Sequence, residues 1–529
     1  MNRTTKAFSI AGALLCTAMV GCTDTLVEPQ STVTEANIFS QPGSYVQFLA
    51  KLYAGLAVTG QVGPHGNADI TANDEGFYNY VRNLWVLNEL PTDEAALAWG
   101  DQGIQPLNQS QLDPDNPFIT AMYYRIYYQV ALTNEFLRQT TTAKLNSRGH
   151  TDPTLVAQVA QYRAEARFLR ALSYWHGIDM FGPIPLLDEN SPVGATPLAQ
   201  ATRTAVYDFI VAELTDIIGD LPPAGASTYG RAADGAAQML LAKVYLNAGV
   251  YTGTTHYPEA MTAIQAVIAG PYSLAAVWRN NFLADNNTSP EMIFPVTSDG
   301  LRTQTWGGTT FLIHASCGGA LDNPAWRASA GIDYCWWGLR LKPEAYSRYV
   351  AGDTSRTNWF GTTGQTSGMA SLTNFNNGIA APKFLNVTSA GAPGSHPTHP
   401  DTDFPMFRLA DAYLMYAEAQ LRGGGGSLAQ SEAYVNALRV RAFGDTTGNV
   451  PAGTLSLDTV LAERGRELLW EGHRRSDLVR FGVFSGGTYL WAWKGGVVGG
   501  ASIAATRDLY PFPSSELVAN PNLTQNPGY

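Results

Sequence analysis

Few residues of this chain carry chemistry in their spacing. Glu463, Glu467 and Glu471 recur every four residues, which places three carboxylates on one helix face. Two such groups could act as acid and nucleophile or base in glycoside hydrolysis. Arg466, Arg474 and Arg475 lie close to the same face, so each glutamate has an arginine within reach. The string therefore reads as a structural ion-pair network, joined by His473 and Asp477, and no catalytic residue is assigned. His396-x-x-His399 followed by Asp401 and Asp403 has the composition of a metal site. Two histidines three apart converge on one ion only from a helix or a tight turn, and Pro397 and Pro400 forbid the helix. No metal site is assigned; a structural calcium on carboxylates and carbonyls suits the composition better than a transition metal. Gly423–Gly426 does not follow a strand, so it is not a phosphate cradle.

The elements that must position these groups stand in a chain of 529 residues. Only 15% of it is charged, against about 25% in an ordinary soluble domain. An aromatic content of 11% argues against disorder. A net charge of −11 with no basic stripe argues against nucleic-acid binding. The one long apolar run lies at the N-terminus. Arg3 and Lys6 followed by Ala7–Val20 read as an export signal over residues 1–21. Met19-Val20-Gly21-Cys22 is similar to a lipobox, in which Cys22 becomes the lipidated N-terminus, and residues 22–35 would be its tether. Cys16 leaves with the signal, so Cys317 and Cys335 remain. In an exported protein they form either a disulfide or two free, partly buried thiols.

The rest of the chain alternates between two textures. One is alanine-rich and periodic, and predicts helices over Tyr45–Leu56, Phe118–Arg138, Tyr162–Met180, Ala205–Ile218, Ala233–Ala248 and Tyr257–Ala269. Further helices follow over Asp411–Leu421, Ser431–Ala442 and Leu457–Val479, the last with a break expected near Gly472. Small residues at the contacts give the pair 236–268 the character of a tetratricopeptide unit. The other texture, residues 57–117 and 271–405, is rich in glycine, asparagine, threonine, proline and tryptophan. It is too long for a single loop and must fold as short strands and small helices. The fold class is thus mainly α, with a loop-rich, short-strand part laid over a helical scaffold.

Specific strings mark the helical parts. Ala164-Glu165-Ala166-Arg167-Phe168 leads to Phe181-Gly182-Pro183-Ile184-Pro185. Phe407-Arg408-Leu409-Ala410-Asp411-Ala412-Tyr413-Leu414 runs on to Ala417-Glu418-Ala419, and Asn436-Ala437-Leu438-Arg439-Val440-Arg441 follows. Glu463-Arg464-Gly465-Arg466-Glu467 continues through Glu471-Gly472-His473-Arg474-Arg475-Ser476-Asp477, and the chain closes on Tyr510-Pro511-Phe512-Pro513 and Gln525-Asn526-Pro527-Gly528-Tyr529. In this order the strings resemble the SusD/RagB family of outer-membrane nutrient-binding lipoproteins, from the lipobox to the last residue.

The resemblance implies one SusD-like domain over residues 36–529, its scaffold at about 118–270 and 406–482 and its variable ligand-binding part at about 57–117 and 271–405. It implies a non-enzymatic protein, lipid-anchored in the outer membrane and facing outward. The protein would hold an oligosaccharide or polysaccharide and deliver it to a SusC-like TonB-dependent transporter. A RagB-like peptide binder is the alternative, and a secreted hydrolase a third reading. Aromatic rings stack under the C–H faces of sugars at low rotamer cost. On that basis the ligand-binding candidates are Trp99, Asp101, Trp306, Trp326, Tyr334, Trp336 and Trp337. Trp336 and Trp337 are consecutive, so in an extended segment at most one meets the ligand. A Cys317–Cys335 bridge would stiffen their loop.

Overall fold

Local signals set the helix starts. Asp152 accepts from the Leu155 N–H and Pro153 occupies the first turn, where its missing N–H costs nothing. The helix they open runs to Phe181 and stops at Gly182, whose φ is +74°. A computed structural model describes residues 38–66, 68–70, 74–194 and 197–529 of the chain. The export signal, Cys22 and the tether lie outside the described residues.

Tyr45–Tyr529 forms one compact unit. Its main helices are α1 (Gly43–Ala57), α2 (Tyr80–Glu89), α3 (Pro117–Gln139), α4 (Pro153–Phe181), α5 (Arg203–Ile217), α6 (Asp234–Leu246) and α7 (Tyr257–Ile268). They continue with α8 (Gly308–Ala315), α9 (Leu409–Leu421), α10 (Leu428–Phe443), α11 (Leu457–Glu467) and α12 (Arg474–Arg480). The scaffold is a series of packed neighbours: α3 on α4, α4 on α5, α6 on α7, α7 on α9 and α9 on α10. At the α6–α7 contact Ala236, Ala237, Ala242, Ala260 and Ala263 are buried, and their short side chains let the two backbones approach. Two small antiparallel ribbons stand among the helices. β1 (Ala95–Leu97) pairs with β3 (Leu339–Leu341), and β2 (Met292–Val296) pairs with β4 (Phe404–Arg408). The molecule is therefore mainly helical, with short strands where the glycine- and tryptophan-rich stretches fold.

The charged C-terminal string departs from the continuous face expected of it. Helix α11 ends at Glu467, and Trp470 (φ +62°) and Gly472 (φ +78°) turn the chain before α12. Glu471 thus lies within the break rather than one turn further along the same face. All three glutamates are buried, and most of their partners come from elsewhere. Glu463 pairs with Arg356, Arg439 and Arg466 at 2.6–2.8 Å. Glu467 meets Arg408 at 2.8 Å and Arg441 at 2.6 Å, and Glu471 meets Lys383 and Arg408, both at 2.6 Å. Arg474 instead reaches Asp93 at 2.7 Å, and Arg475 reaches Asp179 at 3.1 Å. The neighbouring cations hold the Glu463 and Glu471 carboxyls below the ordinary carboxylate range against the opposing effect of burial. Neutralised and closed to water, these groups form a lattice that locks the fold.

Candidate functional site

Strand register assembles the aromatic residues. Leu97 lies opposite Leu339, so Trp99, just past β1, falls beside the residues that lead into β3. The Ala98 N–H donates to Gly338 O at 2.9 Å, and the Trp99 indole N–H donates to Trp336 O at 2.9 Å. Gly338 is required here, because a Cβ at that position would come within 2.9 Å of the Trp99 ring. On the other side, α8 ends with carbonyls that have no partner within the helix. The Trp336 N–H donates to His314 O at 2.8 Å and the Gly338 N–H to Ala315 O at 2.9 Å. The segment that carries Trp336 is thus fastened to a helix end and to a strand pair together. Cys317 and Cys335 are joined as a disulfide across the same junction, with their Cα atoms 5.0 Å apart.

Trp336 is the centre of the cluster. Its ring lies 6.1 Å from Trp99, 6.1 Å from Trp306 and 6.3 Å from Tyr334, and it stacks on His314 at 5.0 Å. Trp99, Trp306 and Trp336 are half-buried, while Tyr334 is 39% exposed. Trp306 is held by Glu75, which accepts from its N–H at 2.7 Å and from the Thr305 hydroxyl at 2.8 Å. His399 packs on the Trp306 ring at 5.0 Å. His314 faces two backbone carbonyls, Tyr334 O at 2.7 Å and Thr398 O at 2.8 Å, and so ties the 334–338 segment to the 396–399 turn. Burial lowers its pKa, and the two carbonyls oppose that shift.

The remaining sequence candidates stand apart. Trp337 adopts φ +55°, and this left-handed turn, rather than an extended backbone, sends it away from Trp336. It packs on Phe375 at 5.5 Å and donates its indole N–H to Asp322 at 2.8 Å. Trp326 is half-buried on the two-turn helix Pro324–Ala330, and among the described residues its ring meets none of the cluster. Asp101 is exposed beyond Trp99 and acts on Arg82 electrostatically. The His396–His399 turn bonds to itself, since His396 Nδ1 accepts the N–H groups of Thr398 and His399, both at 3.1 Å. Among the described residues no group of three or more His, Cys, Asp or Glu side chains is placed to hold a metal.

Arg82 was not singled out from the sequence. It is 4% exposed, and its guanidinium lies 4.7 Å from the Phe311 ring, 4.8 Å from Phe77 and 5.9 Å from Trp99. Among the described residues it makes no ion pair, and its Nε has no hydrogen-bond partner. Burial pushes its pKa down to about 10, with Asp74, Asp101 and Glu75 opposing that shift. The guanidinium is thus held against three aromatic rings at the edge of the tryptophan cluster rather than in an ion pair. Its signal in the sequence is a single charge inside the apolar run Val81–Trp85, and His314 interrupts Phe311–Ala315 in the same way.

The comparisons with known proteins agree with this architecture. The SusD family profile matches residues 298–529, and a profile described as starch-binding, associating with outer membrane, matches residues 71–246. The chain is 34% identical to the starch-binding protein SusD of Bacteroides thetaiotaomicron, over 98% of this chain and 97% of that one. It is 26% identical to SusD-like protein P2 of Formosa agariphila, over 99% and 100%. Among solved structures, its fold is similar to surface glycan-binding protein A of Bacteroides thetaiotaomicron in complex with laminarihexaose, with a TM-score of 0.69, 20% identity, and 92% and 99% coverage. A laminarin-binding SusD-like protein is similar at a TM-score of 0.68, 24% identity, and 92% and 99% coverage. With a third of its residues identical from end to end to one such protein, the chain belongs to the SusD family.

Proposed function

We propose that the protein binds a neutral glucan without altering it, on the platform of Trp99, Trp306, Trp336 and Tyr334, and passes it to a TonB-dependent transporter of the outer membrane. The observation that carries this reading is the pairing of half-exposed rings with the buried guanidinium of Arg82, which makes no ion pair among the described residues. Rings take the C–H faces of a sugar, and the guanidinium takes its hydroxyl oxygens. Relatives that bind starch and laminarin support the choice of a glucan. The low charge of the chain also suits a neutral ligand. Attachment through Cys22 would keep the platform at the membrane, which fits the lipobox-like string and the outer-membrane association of the matching family.

Calorimetric titration with maltoheptaose, laminarihexaose and a panel of other glycans tests this. At least one glycan should bind, and Trp336→Ala should remove the binding because it takes away the ring on which the others converge. A correctly folded protein that binds nothing in the panel would sink the proposal.

A further inference from the structure

A second cavity, of about 530 Å³, opens beside the aromatic platform and is not part of it. The β2–β4 pairing creates its floor: Val296 lies opposite Phe404, so the chain after β2 runs next to the chain before β4. Its walls include Tyr229, Asn287, Thr297, Ser395, Asp401 and Asp403, and no lysine or arginine. Asp299, also on the wall, pairs with Arg302, which is 84% exposed.

The polar groups of the cavity are fixed in advance. The Tyr229 hydroxyl donates to Asp403 at 2.6 Å, and the Ser298 N–H donates to the other oxygen of the same carboxylate at 2.7 Å. Asp403 is buried, whereas Tyr229 is 42% exposed. A tyrosine tied down by its hydroxyl presents a ring whose face needs no further ordering. Asp401 takes the Gly300 N–H at 2.8 Å and both the N–H and hydroxyl of Ser395 at 2.6 Å. That leaves roughly one of a carboxylate's four acceptor sites open. Exposed Asn287 adds amide groups at the rim.

This is the composition of a hydroxyl-rich ligand site: one fixed ring, three carboxylates and an amide, with the adjoining Arg302 already paired to Asp299 and so poorly suited to hold an anion. It is also near the platform. Thr303, on the cavity wall, is three residues from Trp306, and Asp401 is two from His399, which packs on Trp306. Three residues span at most about 11 Å of chain.

We infer that the Tyr229 cavity is a second carbohydrate subsite, which takes further units of a glucan chain whose first units lie on Trp306 and Trp336. The inference rests on the glucan-binding reading and extends it, making chain length the property the protein selects.

Calorimetry with maltotriose and maltoheptaose, and with laminaritriose and laminarihexaose, tests it on the full mature chain. Whichever series binds, Tyr229→Ala should weaken the long member by about tenfold and leave the trisaccharide unchanged. Trp336→Ala should lose both. Tyr229→Phe keeps the ring but frees it from Asp403, so its loss for the long member should lie between that of Tyr229→Ala and the parent protein. Asn287→Trp fills the cavity from its exposed rim without touching a buried contact, so it should reproduce the loss even if Tyr229→Ala fails to fold. Long chains that bind Tyr229→Ala or Asn287→Trp as tightly as the parent overturn the subsite alone. A parent protein that binds neither series overturns both this inference and the glucan reading.

Discussion

Arg82 separates a binding role from a structural one at the scale of a single residue. A buried charge with no ion pair among the described residues is a cost to the folded state that its aromatic contacts only partly offset. Arg82→Met keeps a similar volume against Phe77, Phe311 and Trp99 and removes the donors. Hydrogen bonds to charged groups contribute about 1.5–3 kcal/mol, so the variant should bind the glucan on the order of ten- to a hundredfold more weakly while its melting temperature holds or rises. Titration and thermal melts on the same sample read both. Unchanged affinity would mean that the guanidinium serves only the fold. Trp336 and Trp337 make a related point: residue type marks both as candidates, but the left-handed φ of Trp337 decides which one joins the cluster.

At the scale of elements, the long alanine-rich helices were readable, including the buried α6 and the buried end of α4, whereas the short helices α2 and α8 were not. The bounds expected for α3, α5, α7 and α9 fall within a few residues of those found, because each is long and punctuated by clear start or stop residues. Every residue of α2 is buried, so the alternation that betrays a helix is missing. α8 is buried likewise, and both were hidden within stretches that read as loop. Yet these two helices set the platform. Asn79 caps α2 through the Arg82 N–H, accepts the first N–H of α8, and donates to the last carbonyl of α1. Gly307 makes that junction close, because a Cβ there would sit 2.1 Å from the Asn79 Cβ. Gly307→Ala should therefore lower stability and glucan affinity together, measured by melting and titration, whereas a purely local loop change would spare the melt. The Cys317–Cys335 bridge closes a loop with a sequence separation of 18. Replacing both cysteines with serine should cost about 3 kcal/mol by the loop-entropy relation. It should also weaken binding severalfold, since Trp336 follows Cys335 directly.

For the whole molecule, Tyr45–Tyr529 is one compact unit. Scarce charge was legible as a total; its concentration in the interior was not, because burial depends on partners from distant segments such as Arg356, Lys383 and Arg408. That interior makes the protein sensitive to acid. Burial pushes His176 and His473 down to about 3, so both are neutral in the fold and gain protons on unfolding below about 6.5. Asp477 is held down at about 2 by Arg464 and Arg480 despite its burial, and Glu471 is lowered by Arg408 and Lys383. Their stabilisation is present above the ordinary carboxylate range and is lost as pH falls through it. Between pH 7 and 4.5 the two histidines lower the melting temperature while the buried Glu89 and Asp403 carboxyls, pushed up by burial, oppose them. Below 4.5 melting temperature should fall steeply as the paired carboxylates gain protons, and a flat profile there would contradict the role of the ion-pair lattice. The β1–β3 register has a different consequence, in time rather than in energy. Ala95 and Leu341 stand almost half the chain apart, and closing so long a loop is slow compared with winding local helices. During refolding the scaffold would exist before the tryptophans meet, so ligand recognition is the last property the newborn chain acquires.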